Sequence, residues 1–216
     1  MRINPSILSA DFGNLEQALK DIATADAAHI DVMDNHFVPN LTIGMPVVKR
    51  LQQISPIPLD VHLMIENPDT EALRFAEFKV ASITFHLEAA KDPLALIKKL
   101  RQAGVSPAVS VKPATEIEST FELLDHIDMV LIMTVEPGFG GQQMIEGTLP
   151  KISKLRSEIA ARNLSVSVQV DGGVTRENIG RLAALGADTF VAGSSVFDSG
   201  RPVDNIAALK AAAQTH

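Results

Sequence analysis

Residues 82–111, SITFHLEAAKDPLALIKKLRQAGVSPAVSV, contain one complete unit of the repeat that organises this chain. Ser82–His86 has the length and composition of a buried strand, and Leu94–Ala103 carries apolar residues at helical spacing between charged ones. Gly104 follows the helix, as expected where a helix ends and the chain turns back into a strand. Ser106–Val111 is the next strand, and the segment therefore predicts a βαβ unit.

The same alternation extends over the whole chain and predicts eight strands. They are Arg2–Leu8, Ala28–Met33, Leu59–Met64, Ser82–His86, Ser106–Val111, Met129–Thr134, Ser167–Asp171 and Thr189–Ala192. Segments with helical spacing lie between them: Leu15–Ala25, Val47–Ile54, Leu94–Ala103, Leu149–Arg162 and Thr175–Leu185. No linker interrupts the pattern. We therefore predict the α/β class, with residues 1–216 forming a single (β/α)8 TIM barrel as one catalytic domain.

An open doubly wound sheet is the alternative architecture. Such sheets usually carry a glycine-rich turn after the first strand, but here that position reads SILSADFGN. The glycine-rich segments come after strands six, seven and eight instead, which is where barrels often bind phosphate.

Composition excludes several classes of function. The chain has no Cys, so disulfides, thiolate nucleophiles and cysteine zinc sites are excluded. The net charge is −7 without a Lys/Arg cluster, which argues against nucleic acid as a partner. No stretch reaches the roughly 18 apolar residues of a membrane span, and the N-terminus lacks a signal-peptide core. We expect a cytoplasmic protein that would hold a phosphorylated ligand with backbone dipoles.

Polar residues collect at the predicted strand ends, where a barrel places its active site. They are Ser6, His29, Asp31, Asp60, His62, His86, Glu88 and Asp171. His29 and Asp31 are two apart and share one face of their strand; with His62 and Asp171 they form a set suited to one divalent metal ion, Zn²⁺ above all, or Fe²⁺, Mn²⁺ or Co²⁺. A structural role for a single histidine, and helix capping by Asp171, are the alternatives.

Asp31 and Asp171 each end an apolar strand, where an aspartate is costly unless it is paired or bound to a cation. Strands two and seven are expected on opposite sides of the barrel, so these carboxylates would face a substrate from both sides. Structural or supporting roles are expected for His36 and His86, and surface positions for His126 and His216.

Three glycine-rich loops, Glu136–Gln142, Asp171–Gly173 and Ala192–Ser195, favour phosphate binding by backbone amides. Met33, Met64 and Met133 fall at strand ends, where they would line the pocket or fill the core. Lys112 is the one lysine placed where a Schiff base could form.

Several of these segments carry a family resemblance. PSILSAD at 5–11, HIDVMD at 29–34, HFVPN at 36–40 and LDVHLM at 59–64 resemble the ribulose-phosphate 3-epimerase family. MTVEPGFGGQ at 133–142, VDGG at 170–173 and VAGS at 191–194 extend the resemblance along the whole chain.

The resemblance implies a barrel of the ribulose-phosphate binding type that inverts C3 of D-ribulose 5-phosphate to D-xylulose 5-phosphate through an enediolate, a step of the pentose phosphate pathway. It implies that His29, Asp31, His62 and Asp171 hold one divalent metal ion and that Asp31 and Asp171 are the acid/base pair. It also implies a homo-oligomer and substrate contacts by Ser6, His62, Asp171 and three groups of loop residues: Gly138, Phe139, Gly140, Gly141 and Gln142; Gly172 and Gly173; and Gly193 and Ser194.

Other functions remain open at this point. D-allulose-6-phosphate 3-epimerase would use the same ligands and loops. A Schiff-base aldolase would use Lys112, and a non-catalytic binding module would tolerate Asp31→Asn. Orotidine decarboxylases need an Asp-x-Lys-x-x-Asp array, but position 33 is Met.

The chain departs from the family pattern at two places. Asn35 stands where the family usually has Gly; because Asn tolerates positive φ, we expect the turn to be kept. Residues 78–82, FKVAS, replace the usual Ala-Gly-Ala-Asp pattern before strand four.

Overall fold

A computed structural model describes residues 1–214; the predicted surface residue His216 lies outside the described residues. The eight strands form one sheet in which every ladder is parallel. Their order is β1-β8-β7-β6-β5-β4-β3-β2, and a single parallel bridge between Ser6 and His29 closes it between β1 and β2. The predicted barrel is confirmed. The strands are β1 Arg2–Pro5, β2 Ala28–Met33, β3 Leu59–Met64, β4 Ser82–His86, β5 Ser106–Val111, β6 Met129–Met133, β7 Ser167–Asp171 and β8 Thr189–Ala192.

Six strands have the predicted bounds, and the first is shorter than predicted. β1 stops at Pro5 because Ser6 begins a 3-10 turn, Ile7–Ser9, whose Leu8 N–H donates to Ser6 Oγ at 3.3 Å. β6 ends one residue early, at Met133.

The helices cover the outer face of the barrel. They are α1 Leu15–Asp21, α2 Met45–Ile54, α3 Pro68–Ala76, α4 Pro93–Gln102, α5 Leu149–Ala161, α6 Ile179–Ala184, α7 Ser194–Phe197 and α8 Pro202–Ala212, with a 3-10 helix, Ile117–Leu123, between β5 and β6. The predicted helix Thr175–Leu185 begins only at Ile179 because Asn178 is bound to the loop before it: its Nδ2 donates to the Gly173 carbonyl and its Oδ1 accepts from Thr175 N–H. The predicted Leu15–Ala25 ends at Asp21, where the chain passes into turns.

Side chains on the strands alternate between two environments. Ile30, Val61 and Val170 are among the residues that point outward into the main apolar core under the helices. The inward-facing positions are more polar: buried Asn4, Asp60 and Gln169 come from β1, β3 and β7, in keeping with barrel layers built from alternate strands. Among the described residues, no helix is both long and apolar enough to span a membrane.

The two departures from the family pattern both fall on positive φ. Asn35 has φ of 59°, so the predicted turn is kept. Lys79 has φ of 58° just past the end of α3, a conformation that costs a lysine more than an asparagine or a glycine.

Candidate metal centre and active site

Strands β2, β3 and β7 bring together the four predicted metal ligands. One ligand atom each from His29, Asp31, His62 and Asp171 lies within 4.8 Å of all the others. His29 Nε2 is 3.4 Å from Asp31 Oδ1 and 3.7 Å from Asp171 Oδ2, while His62 Nδ1 is 3.3 Å and 3.6 Å from the same two oxygens. Two imidazole nitrogens and two carboxylate oxygens thus face one point, which is a donor set that suits a divalent cation.

A buried carboxylate orients His29. Its Nδ1 is 2.9 Å from Asp60 Oδ2, and because a carboxylate only accepts, the proton is on Nδ1. Asp60 is held in turn by Asn4, Gln169 and Ser82 at 3.0, 2.7 and 2.6 Å. His29 Nε2 is buried and makes no hydrogen bond among the described residues, so it is the nitrogen left to bind a cation.

His62 presents its other nitrogen. Its Nδ1 faces the carboxylates, and its Nε2 lies 3.0 Å from His86 Nε2. His86 Nδ1 lies 3.3 Å from Glu88 Oε2. The expected supporting position of His86 is confirmed: it is fully buried behind His62 and is not a ligand.

The two oxygens of Asp31 have different surroundings. Oδ1 faces both imidazoles, whereas Oδ2 accepts from Ser6 Oγ at 2.5 Å. Ser6 and Asp31 both line the cavity above the site. One oxygen therefore faces the imidazoles, and the other is hydrogen-bonded to a residue that lines the cavity.

The pKa shifts of His29, Asp31 and His62 show that the site favours positive charge. Burial lowers the pKa of His29, but Asp31 and Asp60 outweigh it and raise this pKa well above its ordinary value. Burial likewise lowers the pKa of His62, but Asp171 and Asp31 raise it overall. Burial opposes ionisation of Asp31, yet the two histidines hold its pKa far below the usual range. A divalent ion would replace the protons that these imidazoles otherwise retain.

The cavity above the site has a volume of about 430 Å³, within the range of small-ligand pockets. Among its described lining residues are Ser6, Asp31, Gly138, Phe139, Gly140, Gly141, Gln142, Asp171, Gly172, Gly173, Gly193 and Ser194, which is the whole predicted substrate set except His62. Met33, Met64 and Met133 also line it. None of the described lining residues is Lys or Arg, so an anionic group there would meet backbone amides.

Two of the loop glycines are required by close packing. Gly173 has φ of 64°, and a Cβ there would lie 2.6 Å from Met144 N. A Cβ on Gly193 would lie 2.5 Å from Ser9 Oγ. The loop after β7 therefore packs against the backbone of the loop after β6, and the loop after β8 packs against Ser9 in the segment after β1.

Some placements differ from expectation. β2 and β7 are not diametrically opposite, because only β1 and β8 lie between them on the shorter path round the barrel. The Schiff-base candidate Lys112 is not among the described lining residues; its Nζ lies 3.8 Å from the centre of the Phe37 ring. His36, for which a structural or supporting role was expected, is exposed; His126 is exposed as predicted.

Sequence reasoning missed the support that Asn4 and Gln169 give to Asp60. The available signal was their spacing, since Asn4 lies two residues before Ser6 and Gln169 two before Asp171, on the same inward faces. Ser9, Glu146, Thr175 and Asn178 also line the cavity and were not predicted.

A parallel eight-stranded barrel that carries a two-histidine, two-carboxylate site beneath glycine-rich loops defines the class: a (β/α)8-barrel enzyme with a candidate divalent-metal site. The model of the ribulose-phosphate 3 epimerase family matches residues 2–197, and the chain belongs to that family. It is therefore an isomerase of the epimerase type, as the resemblance predicted.

Curated relatives support the family, and a solved structure supports the fold. The chain is 46% identical over 208 residues to the ribulose-phosphate 3-epimerase of Mycobacterium leprae, covering 96% of this chain and 93% of that one. It is 42% identical over 199 residues to the enzyme of the same name from Helicobacter pylori, covering 92% of each. The crystal structure of KGPDC from Streptococcus mutans superposes with a TM-score of 0.73, covering 99% of this chain and 97% of that one; at 16% identity, it supports the fold alone.

Proposed function

We propose that the protein inverts the configuration at C3 of D-ribulose 5-phosphate to give D-xylulose 5-phosphate, with Asp31 and Asp171 as the acid/base pair. The observation that carries the proposal is the convergence of His29, Asp31, His62 and Asp171 on one point at the floor of a cavity of sugar-phosphate size. The names of relatives at 40–46% identity support the pentose substrate.

A divalent ion held by these four residues, Zn²⁺ first among the candidates, would supply Lewis-acid stabilisation of the negative charge that develops when C3 loses its proton. Side chains of the protein would carry out the proton transfers. Asp31 lines the cavity, and its Oδ2, which accepts from Ser6 Oγ, would take the C3 proton from one face of the substrate. Asp171, on another strand, returns a proton to the other face of the enediolate, and the roles reverse in the opposite direction.

The remaining cavity residues would bind the substrate. Ser6 and His62 would contact the sugar end, and backbone amides at Gly138–Gln142, Gly172–Gly173 and Gly193–Ser194 would hold the phosphate. Met33, Met64 and Met133 would form an apolar layer that keeps water from the reacting carbon. We further propose a homo-oligomer in the cytoplasm, as the family resemblance and the sequence suggest.

Substrate choice is tested by kcat/KM of the Zn²⁺-reconstituted protein for D-ribulose 5-phosphate and D-allulose 6-phosphate, measured side by side. We expect preference for the pentose. A preference for the hexose would support the same chemistry on a different substrate. If neither sugar phosphate is turned over, the epimerase proposal is wrong.

The two-carboxylate scheme is tested with Asp31→Asn and Asp171→Asn, with Asp21→Asn in exposed helix α1 as the matched control. Loss of a general acid or base lowers the rate by about 10²–10⁴-fold, so both site variants should lose epimerisation and the control should not. In D2O each site variant should still exchange the C3 proton of one epimer, and a different epimer for each variant. Equal loss of exchange for both epimers, with bound metal verified, would contradict the scheme; full activity of Asp31→Asn would favour a binding module.

A further inference from the structure

We propose that His86 and Glu88 are positioning residues that hold His62 in the tautomer required to present Nδ1 to the metal ion. The inference rests on the metal site of the proposed function and adds two residues that act through a ligand. Its basis is a chain of contacts running from the site through β3 and β4 to the loop after β4: His62 to His86 at 3.0 Å, then His86 to Glu88 at 3.3 Å.

The first step is the tautomer of His62. A neutral imidazole carries one proton, so a nitrogen that binds a cation leaves the proton on the other. His62 Nδ1 faces Asp31 and Asp171, so a cation held by these residues would occupy Nδ1 and the proton would then have to be on Nε2. An isolated neutral imidazole can carry its proton on either nitrogen. The tautomer with the proton on Nδ1 could not bind a metal ion through that atom.

His86 provides the acceptor for that proton. Its Nε2 lies 3.0 Å from His62 Nε2; the ring centres are 5.0 Å apart and the ring planes differ by 26°, so the two rings meet nearly edge to edge. Such an approach places the His62 N–H along the direction of the His86 lone pair. His86 accepts there only when its own proton is on Nδ1.

Glu88 decides that second tautomer. A carboxylate only accepts, so Oε2 at 3.3 Å requires the proton on His86 Nδ1. The other oxygen of Glu88 accepts from Lys112 N–H at 2.7 Å and from Thr115 Oγ1 at 2.5 Å, which fixes the carboxylate on the loop after β5. Glu88 thus fixes the tautomer of His86, and His86 in turn fixes the tautomer of His62.

The two ligand histidines are supported differently. His29 donates directly to the carboxylate of Asp60, whereas His62 donates to an imidazole with a carboxylate one step further out. Outer partners of ligand histidines orient the ring and commonly contribute 10–100-fold to metal affinity. We assign that role at His62 to His86, with Glu88 as its orienting group.

The test compares His86→Leu with His86→Gln. Leucine removes the acceptor, whereas the glutamine side-chain oxygen stands close to the position of Nε2 and restores it. Ser110→Ala is the matched control, since Ser110 pairs with His86 across β4 and β5 and its buried hydroxyl makes no hydrogen bond among the described residues. Glu88→Gln, at a partly exposed site, is the second variant should His86→Leu fail to fold.

The first readout is Zn²⁺ affinity by competition with a chromophoric chelator. We expect about a 10–100-fold loss for His86→Leu, a smaller loss for Glu88→Gln, and values within about threefold of wild type for His86→Gln and Ser110→Ala. The second readout is the ¹⁵N–¹H correlation spectrum of the imidazoles in the Zn²⁺-loaded protein. It should show a sharp His62 Nε2–H signal in the wild type and in His86→Gln, and one broadened by exchange with water in His86→Leu, where the acceptor is missing.

A wild-type Zn²⁺ affinity and a wild-type His62 Nε2–H signal in both His86→Leu and Glu88→Gln would overturn the proposal while leaving the epimerase function intact. An equal loss of affinity in His86→Gln and His86→Leu would also overturn it, because packing and not the acceptor would then matter. Failure of the wild-type protein to bind Zn²⁺ at His29, Asp31, His62 and Asp171 would contradict the metal site itself, a separate result.

Discussion

Glu88 is a partly buried carboxylate whose charge is held in place by its neighbours. Burial raises its pKa, but hydrogen bonds from His86, Thr115 and the Lys112 backbone outweigh this and lower it to about 2. A depressed carboxylate pKa stabilises the folded protein fully above its unfolded value of about 4.3 and loses that contribution as pH falls through 2. We therefore expect the stability difference between wild type and Glu88→Gln to shrink over this range, by at most about 3 kcal/mol.

The measurement is urea unfolding of the metal-free protein at several pH values from 7 to 2.5, with chelator present so that metal release does not contribute. Glu122→Gln, at an exposed position, is the control and should run parallel to wild type. Parallel curves for Glu88→Gln as well would contradict the assigned contacts.

At this scale the sequence predicts residue chemistry better than residue partners. His29, Asp31, His62 and Asp171 are recognisable because polar residues end apolar strands at two-residue spacing. The bond between Asp60 and Gln169 joins residues 109 positions apart, and it depends on how the strands close into a barrel. Period-two spacing identifies the inward face, but it does not say which inward side chains meet across the interior.

Among the secondary-structure elements, α3 and α4 end in different ways. Lys79, just past α3, holds φ of 58°, while Gly104, just past α4, holds φ of 80° with open space where a Cβ would stand. Left-handed backbone costs a residue with a Cβ about 1 kcal/mol more than glycine. Lys79→Gly should therefore raise the free energy of unfolding by about 0.5–1 kcal/mol, less than the full strain because glycine is freer in the unfolded chain.

Gly104→Ala is the reciprocal variant and should lower stability by about 1 kcal/mol without a steric clash. Thermal and urea unfolding measure both, and Lys79→Ala, which keeps the Cβ, should remain near wild type. A stability for Lys79→Gly at or below that of Lys79→Ala would contradict the assigned strain.

Strands were predictable to the residue in six of eight cases because the outward-facing position at every second residue is apolar. The ends of the helices were less predictable than those of the strands. Thr175–Asn178 has helical composition, yet Asn178 binds the Gly173 carbonyl and the Thr175 N–H, and both Thr175 and Asn178 line the cavity. Asn178 forms this hydrogen bond with the loop after β7, and the spacing of apolar residues in the sequence cannot predict it.

For the molecule as a whole, the candidate metal site joins β2, β3 and β7, strands that lie between positions 28 and 171 of the chain. An ion bound only by the closed barrel stabilises the folded state by RT ln(1 + [metal]/Kd), about 2.7 kcal/mol at one hundred times Kd. For a chain of this length that corresponds to a Tm increase of about 5–10 °C. Zn²⁺ should give this increase in wild type and in His126→Ala, whose histidine is exposed, but not in Asp171→Ala.

The Zn²⁺-dependent increase in Tm should become smaller as the pH is lowered. Without metal, Asp31, Asp60 and Asp171 raise the pKa values of His29 and His62 against the effect of burial, so protons compete with the ion for both imidazoles. Lowering the pH therefore weakens metal binding, and the Zn²⁺-dependent Tm increase should fall between pH 8 and pH 6 with proton release on binding. Calorimetry in buffers of different ionisation enthalpy counts the released protons. A Tm increase independent of pH, or an equal one in Asp171→Ala, would place the ion at another site.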